Sequence, residues 1–422
     1  MKVQIPKRTQ PQGTVLLVTL FIAFLFGSFL CYYLGLVQSH KSLITRSQAW
    51  NAAMGMAEAG AEEALAQLNP GAPQPFFNLS TNGWGPPVSG LYGPVARSLT
   101  GGSYSTVYTT DPYPIIYSTG YVTIGVMSAT LARTIRVCTT NVPLFNAGMG
   151  AISNINFAGN GVYVDSFNSM NPNLSTNGRY DPTKASTNGD VGSVYGLVNV
   201  ANGNINGKLL LGPVATDSIS SNGQITGGVY YDFNTEFEDV VLPETTWLPV
   251  TPTSMVIGTN TFQYVFSGSG GDYVIGALSG SIYVDTNTTV RLLIQKSFNT
   301  GNIEVASNGA NSGHLTIYMN GPSFSVTGST WVDGGNAMNL SYYGLPSNTQ
   351  INFSGNASFT GTIYAPEAFY KLGGGGSGYY NFVGAVFARQ IMVNGHYSFH
   401  FDENLLTAGP IKGFVARSWS EL

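Results

Sequence analysis

The sequence predicts a mainly β, α+β protein. A long N-terminal transmembrane and amphipathic helix comes first, then a small antiparallel sheet, then a right-handed parallel β-helix. Three observations carry this. One unbroken apolar stretch turns alanine-rich and ends at Asn69-Pro70-Gly71. Charged residues make up only 9% of 422, while Gly alone supplies 53. A short aliphatic–aromatic motif recurs through the second half. A soluble chain ordinarily carries about a quarter of its residues charged. Repetitive β architecture explains the deficit, because Gly, Asn, Ser and Thr fill turns and outward positions without charge. The length allows more than one domain and a sizeable core. With a net charge of −4 and no basic patch to meet phosphates, nucleic acid is not an expected partner. Cys31 lies in the apolar run and Cys138 far out in the β region. No disulfide between them is expected, and burial alone holds the fold.

The helix is justified residue by residue. Lys2, Lys7 and Arg8 precede Gly13, and from Thr14 to Val37 the chain is almost continuously apolar. About 20 residues suffice to cross a bilayer as a helix. A cleaved export signal has a shorter apolar core, about 7–15 residues, ending in a small-residue site. Tyr32 to Gln38 offers no such site. Positive residues ahead of the span place the amino terminus in the cytoplasm and export the rest. Beyond Gln38 an apolar face continues at three- and four-residue steps through Leu43, Trp50, Met54, Ala57, Ala61, Leu65 and Leu68. Arg46, Glu58, Glu62 and Glu63 mostly lie off it. From Thr14 to Leu68 such a helix is about 80 Å long. One half belongs in lipid and the other is available to further helices.

A short basic leader ending in Gly13, an apolar helix and an amphipathic continuation through Ala57-Glu58-Ala59-Gly60 resemble a type IV pilin or pseudopilin. The resemblance is closest to the PilX-like minor pilins and covers residues 1–69. It implies cleavage after Gly13 by a prepilin peptidase, with Thr14 as the new, methylated terminus. It also implies filament packing through Val18, Trp50, Met54, Ala57, Glu58 and Leu65. The sequence departs from major pilins at two places. Thr14 stands where an aromatic residue or Met usually begins the mature chain, and Val18 stands where Glu usually occupies its fifth position. That Glu neutralises a neighbour's terminal amine in an apolar filament core, where an unpaired charge is costly. Its absence implies a minor, initiating or tip component.

Residues 70–94 are rich in Pro, Gly and Asn and read as a connector. Strand-like runs follow at 102–110, 113–124 and 132–140, the last alternating Arg and Thr with Ile and Val. Helix followed by a small antiparallel meander is the pilin-like order. From residue 144 the motif Gly161-Val-Tyr-Val-Asp165 recurs as Gly228-Val-Tyr-Tyr-Asp232, Ser281-Ile-Tyr-Val-Asp285, Thr362-Ile-Tyr-Ala-Pro366 and Ala385-Val-Phe-Ala-Arg389. The last two copies are spaced by about one solenoid coil. Short strands separated by Asn-Gly, Ser-Gly and Gly-Gly turns fit stacked parallel coils, and an antiparallel sandwich is the competing arrangement. Uneven spacing of the other copies calls for an interruption, placed at the acidic, Pro-containing stretch 232–262. The expected division is 1–13 leader, 14–69 assembly helix, 70–143 connector and small sheet, 144–403 β-helix, and 404–422 C-terminal tail. The end of the β-helix resembles modules attached to PilX-like proteins.

Candidate chemistry is sparse. Gly373-Gly-Gly-Gly-Ser-Gly378 lacks the Gly-Lys-Ser/Thr ending of a phosphate loop and reads as a turn. His396, His400 and Asp402 share one face of an extended strand and include metal-ligand types, but the expectation is an exposed strand. Asp232, Glu236, Glu238 and Asp239 do not match a calcium loop. Asp165, Asp232 and Asp285 end three repeat copies. Stacked on one side, they would form the acid cluster of a membrane-anchored polysaccharide-active enzyme, but Asp is also an ordinary turn residue. No cofactor, metal site or catalytic group is expected. The expected function is pilus or pseudopilus assembly with a β-rich domain displayed for adhesion, against an enzyme or an envelope scaffold. Expected partners are the membrane, crossed once, other pilins and the peptidase, with carbohydrate or a cell-surface protein at the β domain. The expected location is the inner membrane, then the pilus or cell surface.

Overall fold

The computed structural model describes residues 12–69, 82–124, 129–159, 161–308, 311–327, 331–374 and 380–422. Most of the expected leader, the first part of the connector, and Gly375–Gly378 of the glycine run fall outside these. The chain forms two compact units, one of residues 1–66, 78–140 and 416–422, the other of 67–77 and 141–415.

In the first unit a single helix, α1, runs Gln12–Leu68, about 85 Å at 1.5 Å per residue. Nothing between Gln12 and Leu68 breaks it, since the run holds no Pro. Residues 15–41 are all exposed. The second half buries a stripe of small residues at helical spacing: Ala49, Ala53, Ala57, Ala61 and Ala64, with Gly60 among them. This stripe faces an antiparallel meander of β1 (Leu91–Leu99), β2 (Gly102–Thr109), β3 (Ile115–Ile124) and β4 (Ala129–Pro143). The approach is close. A Cβ on Gly120 would lie 2.1 Å from the Ala53 carbonyl oxygen, and one on Gly60 would lie 2.3 Å from Ser118 Oγ. Of the face drawn from the sequence, Ala57 and Ala61 sit on the sheet. Trp50 is 44% exposed, and Met54 and Leu65 are half-buried. Close packing selects small side chains, so the bulky apolar residues rotate off the contact.

The expected C-terminal tail is a correction. Residues 411–421 form β5 (Ile411–Glu421), the fifth strand of this sheet, beside β4 in the order β1-β2-β3-β4-β5. The Leu422 amide donates to the Thr134 carbonyl at 2.9 Å, and Arg133 pairs with Glu421.

The second unit is a closed stack of parallel strands, as expected, and it has three faces. On the first, an inward row runs Tyr264, Ile282, Ile303, Val332, Phe359, Phe382, Phe399, Val164, Ile205, Ile225, each residue directly paired to the next. The second runs Leu248, Tyr273, Leu292, Ile317, Tyr342, Ile363, Val386, Met149, Val191, Leu209, Val229. The third runs Leu278, Phe298, Phe324, Ile351, Tyr370, Ile391, Ile155, Val198, Asp217. These rows form most of one continuous core.

Their order is not the chain order. The chain enters mid-stack at Met149, builds outward to Val229, returns to the far end, and rebuilds from Leu248 until Phe399 meets Val164. This explains the uneven motif spacing. Val229, Ile363 and Val386 belong to the second face, whereas Ile282 and Val164 belong to the first.

The return falls in the stretch expected to interrupt the repeat. Residues 231–247 carry no strand, and 255–262 form a small hairpin. The strap of residues 231–247 lies over an outward row on the second face, Leu293, Tyr318, Tyr343, Tyr364, Phe387 and Gly150. Phe237 stacks on Phe387 at 5.2 Å between ring centroids, Trp247 packs edge-on to Tyr318, and the Tyr364 hydroxyl donates to the Glu238 carbonyl at 2.8 Å. Thr245 donates to Asp272 at 2.6 Å. The result is a second apolar cluster outside the stack.

Candidate functional site

Two surfaces of this chain carry recognisable chemistry. The first is α1. Gly13 and Thr14 fall in its first turn. Val18 is 53% exposed, and the segment from Val15 is long and apolar enough to cross a membrane. Farther along, Glu58 is exposed, and Trp50 is 44% exposed beside the alanine stripe. Glu63 is committed inside the unit: it accepts from Arg97 Nη2 at 2.8 Å and from the Tyr104 hydroxyl at 2.7 Å. Burial, and then that carboxylate, push the Tyr104 phenol up to about 12. The Arg133 guanidinium lies 4.6 Å from the Trp50 ring centroid. The residues expected to pack in a filament thus divide. Ala57 is spent on the sheet, whereas Val18, Trp50, Glu58 and part of Met54 and Leu65 remain presented.

The second surface lies on the first face of the stack, where the chain's late and early coils meet. The expectation of an exposed His and Asp strand is corrected here. His396 is exposed ahead of the strand Tyr397–Asp402, but His400 and Asp402 are buried. His400 and Asp165 are directly paired outward neighbours, with Nδ1 2.5 Å from Asp165 Oδ1. Residues 168–190 fold over them. Tyr180 stacks on the imidazole at 3.5 Å between centroids, and its hydroxyl donates to Asp165 Oδ2 at 2.7 Å. Burial first, and then the Asp165 carboxylate, raise the Tyr180 phenol well above its ordinary value. The covering loop is tied at its start, where the Ser169 amide donates to Asp402 Oδ1 at 3.0 Å, and near its end, where Asn188 Nδ2 donates to Glu403 Oε1 at 2.9 Å. Burial raises the Asp402 carboxyl above its usual range.

The three repeat aspartates do not stack, which corrects the arrangement an enzyme reading requires. Asp165 occupies the outward position that Tyr283 holds in its coil. Asp285 lies beyond that strand and caps a turn, accepting from the Thr286 amide at 2.7 Å. Asp232 follows a second-face strand and is exposed. In the acidic stretch, Glu236 and Glu238 meet Lys412, whose Nζ donates to the Glu236 carbonyl at 2.7 Å. Among the described residues, no group of three His, Cys, Asp or Glu gathers to hold a metal.

Sequence reasoning missed the cleft beside the covering loop. It has a volume of about 330 Å³, with Arg179 and Tyr180 on one side and Trp331, Asp333, Ser358 and Thr360 from two consecutive coils on the other. Arg179 reaches across to Asp333 at 3.2 Å. Below Asp333, Glu304 is pushed up by burial and then by Asp333. The only hint in the sequence is the outward alternation of polar residues.

Residues 261–408 match a family described as a domain of unknown function (DUF7305), the arm that rises from the far end to the meeting point. No curated protein matches the chain. Among solved structures, the competence-associated pilin ComZ from Thermus thermophilus aligns at 12% identity over 89% of this chain and 97% of that one. Its TM-score is 0.28, a superposition too loose to be a shared fold.

Proposed function

We infer that this chain is a minor pilin or pseudopilin of the PilX-like kind, held in the inner membrane by α1 with its amino terminus in the cytoplasm and its β-rich parts exported. One observation carries the reading: the way α1 divides its surface. Its first half offers almost only apolar side chains to the surroundings as far as Val37, with Thr19 and Ser28 turning their hydroxyls onto the helix backbone. Its second half spends a stripe of alanines and Gly60 on an antiparallel sheet, keeps Glu58 exposed and leaves Trp50 partly exposed. The sheet covers only the small-residue stripe of the second half, so the apolar first half and the part-exposed outer face of the second are the surfaces that lipid and other helices can cover. Prepilin peptidase then cuts after Gly13, Thr14 becomes the methylated terminus, and the helix packs among other pilins through Val18, Trp50, Met54, Glu58 and Leu65. Val18 in place of an acidic residue favours an initiating or tip position.

The second unit is the displayed part. We read it as a right-handed β-helix, since crossovers between parallel strands are right-handed in about 98% of cases. Its role is contact, not catalysis, a reading supported by the scattered repeat aspartates and by the ring that covers His400.

The test is intact mass and terminal sequencing of the protein from its own cells, with sheared filaments probed for the chain. A terminus at Thr14 and presence in filaments are expected. Retention of Met1, or processed protein that never enters filaments, overturns the assembly reading in favour of an anchored scaffold.

A further inference from the structure

The geometry points to a binding site for an uncharged oligosaccharide in the cleft between the covering loop and the first face of the stack. This rests on reading the second unit as the part that makes surface contact. Trp331 gives the cleft an aromatic wall, and Ser358 and Thr360 line the coil beside it. The cleft adjoins a second one of about 690 Å³, with which it shares Gly178, Arg179, Gly335 and Asn336. There Asn177, Asn308 and Asn339 join Ser307 and Ser312. Each falls within the usual size of ligand sites. Their chemistry is amide, hydroxyl and aromatic face.

Three other ligand classes fit poorly. The lining's cation, Arg179, is engaged by Asp333 at 3.2 Å, so the pair presents little net charge to an anion. The strand Trp331–Asp333 is paired on both sides, to Ile303–Glu304 and to Ser358–Thr360. No edge is left there for an added peptide strand. Among the described residues no metal cluster reaches the cleft. What remains matches a polyhydroxylated ring, which donates and accepts at its rim and lays an apolar face on an aromatic wall.

The experiment is isothermal titration of the full chain, purified in a detergent without a sugar headgroup, with cellohexaose, maltohexaose and chitohexaose at millimolar concentration. Oligogalacturonate serves as the anionic comparison. At least one neutral oligosaccharide is expected to bind. Trp331→Ala should weaken binding about tenfold. Thr360→Val, which exchanges one hydroxyl for a methyl, should weaken it by roughly five- to tenfold. If the Trp331 variant fails to keep its circular dichroism, Thr360→Val alone decides. No binding by any neutral probe, binding of oligogalacturonate only, or binding indifferent to Thr360→Val overturns the proposal. The titration requires neither processing nor filaments. A negative result therefore leaves the assembly reading standing, and a retained Met1 leaves this one standing.

Discussion

Replacing His400 tests how the stack closes. His400 and Asp165 are 235 residues apart in sequence, and they sit on the two strands where the chain's last coil lands on its first. Asp165 is fully buried and His400 is 2% exposed. In His400→Leu, the Asp165 carboxyl keeps the Tyr180 hydroxyl at 2.7 Å and loses the imidazole at 2.5 Å. Removing one partner of a buried pair costs about 3–5 kcal/mol, a large share of a marginal total. The cost falls at the meeting point, where no covalent connection links the coils. Local opening should therefore precede global unfolding. Native-state hydrogen exchange of the amides at 163–167 and 397–402 is the assay. In His400→Leu these should exchange about a hundred- to five-thousandfold faster, while those at 315–319 and 340–344 change little. The double variant His400→Leu with Asp165→Leu removes the buried carboxylate and leaves only the half-buried Tyr180 hydroxyl without its acceptor, so it should recover part of the loss. Exchange accelerated less than about fivefold, equal acceleration throughout the unit, or a double variant as damaged as the single would refute the argument.

Two further outcomes follow from the packing. Gly120→Val places a branched side chain where even a Cβ lies 2.1 Å from the Ala53 carbonyl oxygen, and the neighbour is backbone that cannot swing away. The substitution should cost about 1–3 kcal/mol or more and make α1 between Ala49 and Leu68 cleavable by protease, read by limited proteolysis. Asp272 titrates below its ordinary value because Arg291 hydrogen-bonds it, with Thr245 of the strap adding to the effect against burial. A carboxyl depressed in the folded state stabilises it fully above its unfolded value, and that contribution disappears as pH falls through the folded value. Arg291→Met should therefore reduce stability near neutral pH and narrow the gap to wild type as pH falls below about 4. Denaturant titrations at several pH values check this. A gap that widens in acid contradicts the assignment.

Much of this architecture is legible in the residues themselves. The helix follows from an apolar and Ala-rich run without Pro, and its length from the Asn69-Pro70-Gly71 stop. The three-strand core of the small sheet follows from the alternation at 102–140. The parallel stack follows from Gly- and Asn-punctuated strands with too little charge for an ordinary surface. Each of these is a local periodicity, and local periodicity is what a chain carries in its own order.

What the tertiary structure decided is which neighbour each element finds. Phe382, Phe399 and Val164 are interchangeable as inward residues, so nothing local says that the early coils sit beyond the last ones. The same holds for β5, whose place beside β4 depends on a partner some 280 residues earlier. It holds for α1, where the sheet's close approach chose alanine over Trp50. Asp165 and His400 form one buried pair under Tyr180 only because parallel coils place residues distant in sequence about 4.8 Å apart. Burial and direct pairing act between elements that meet in space, and their free energy depends on the whole stack rather than on any stretch of the sequence.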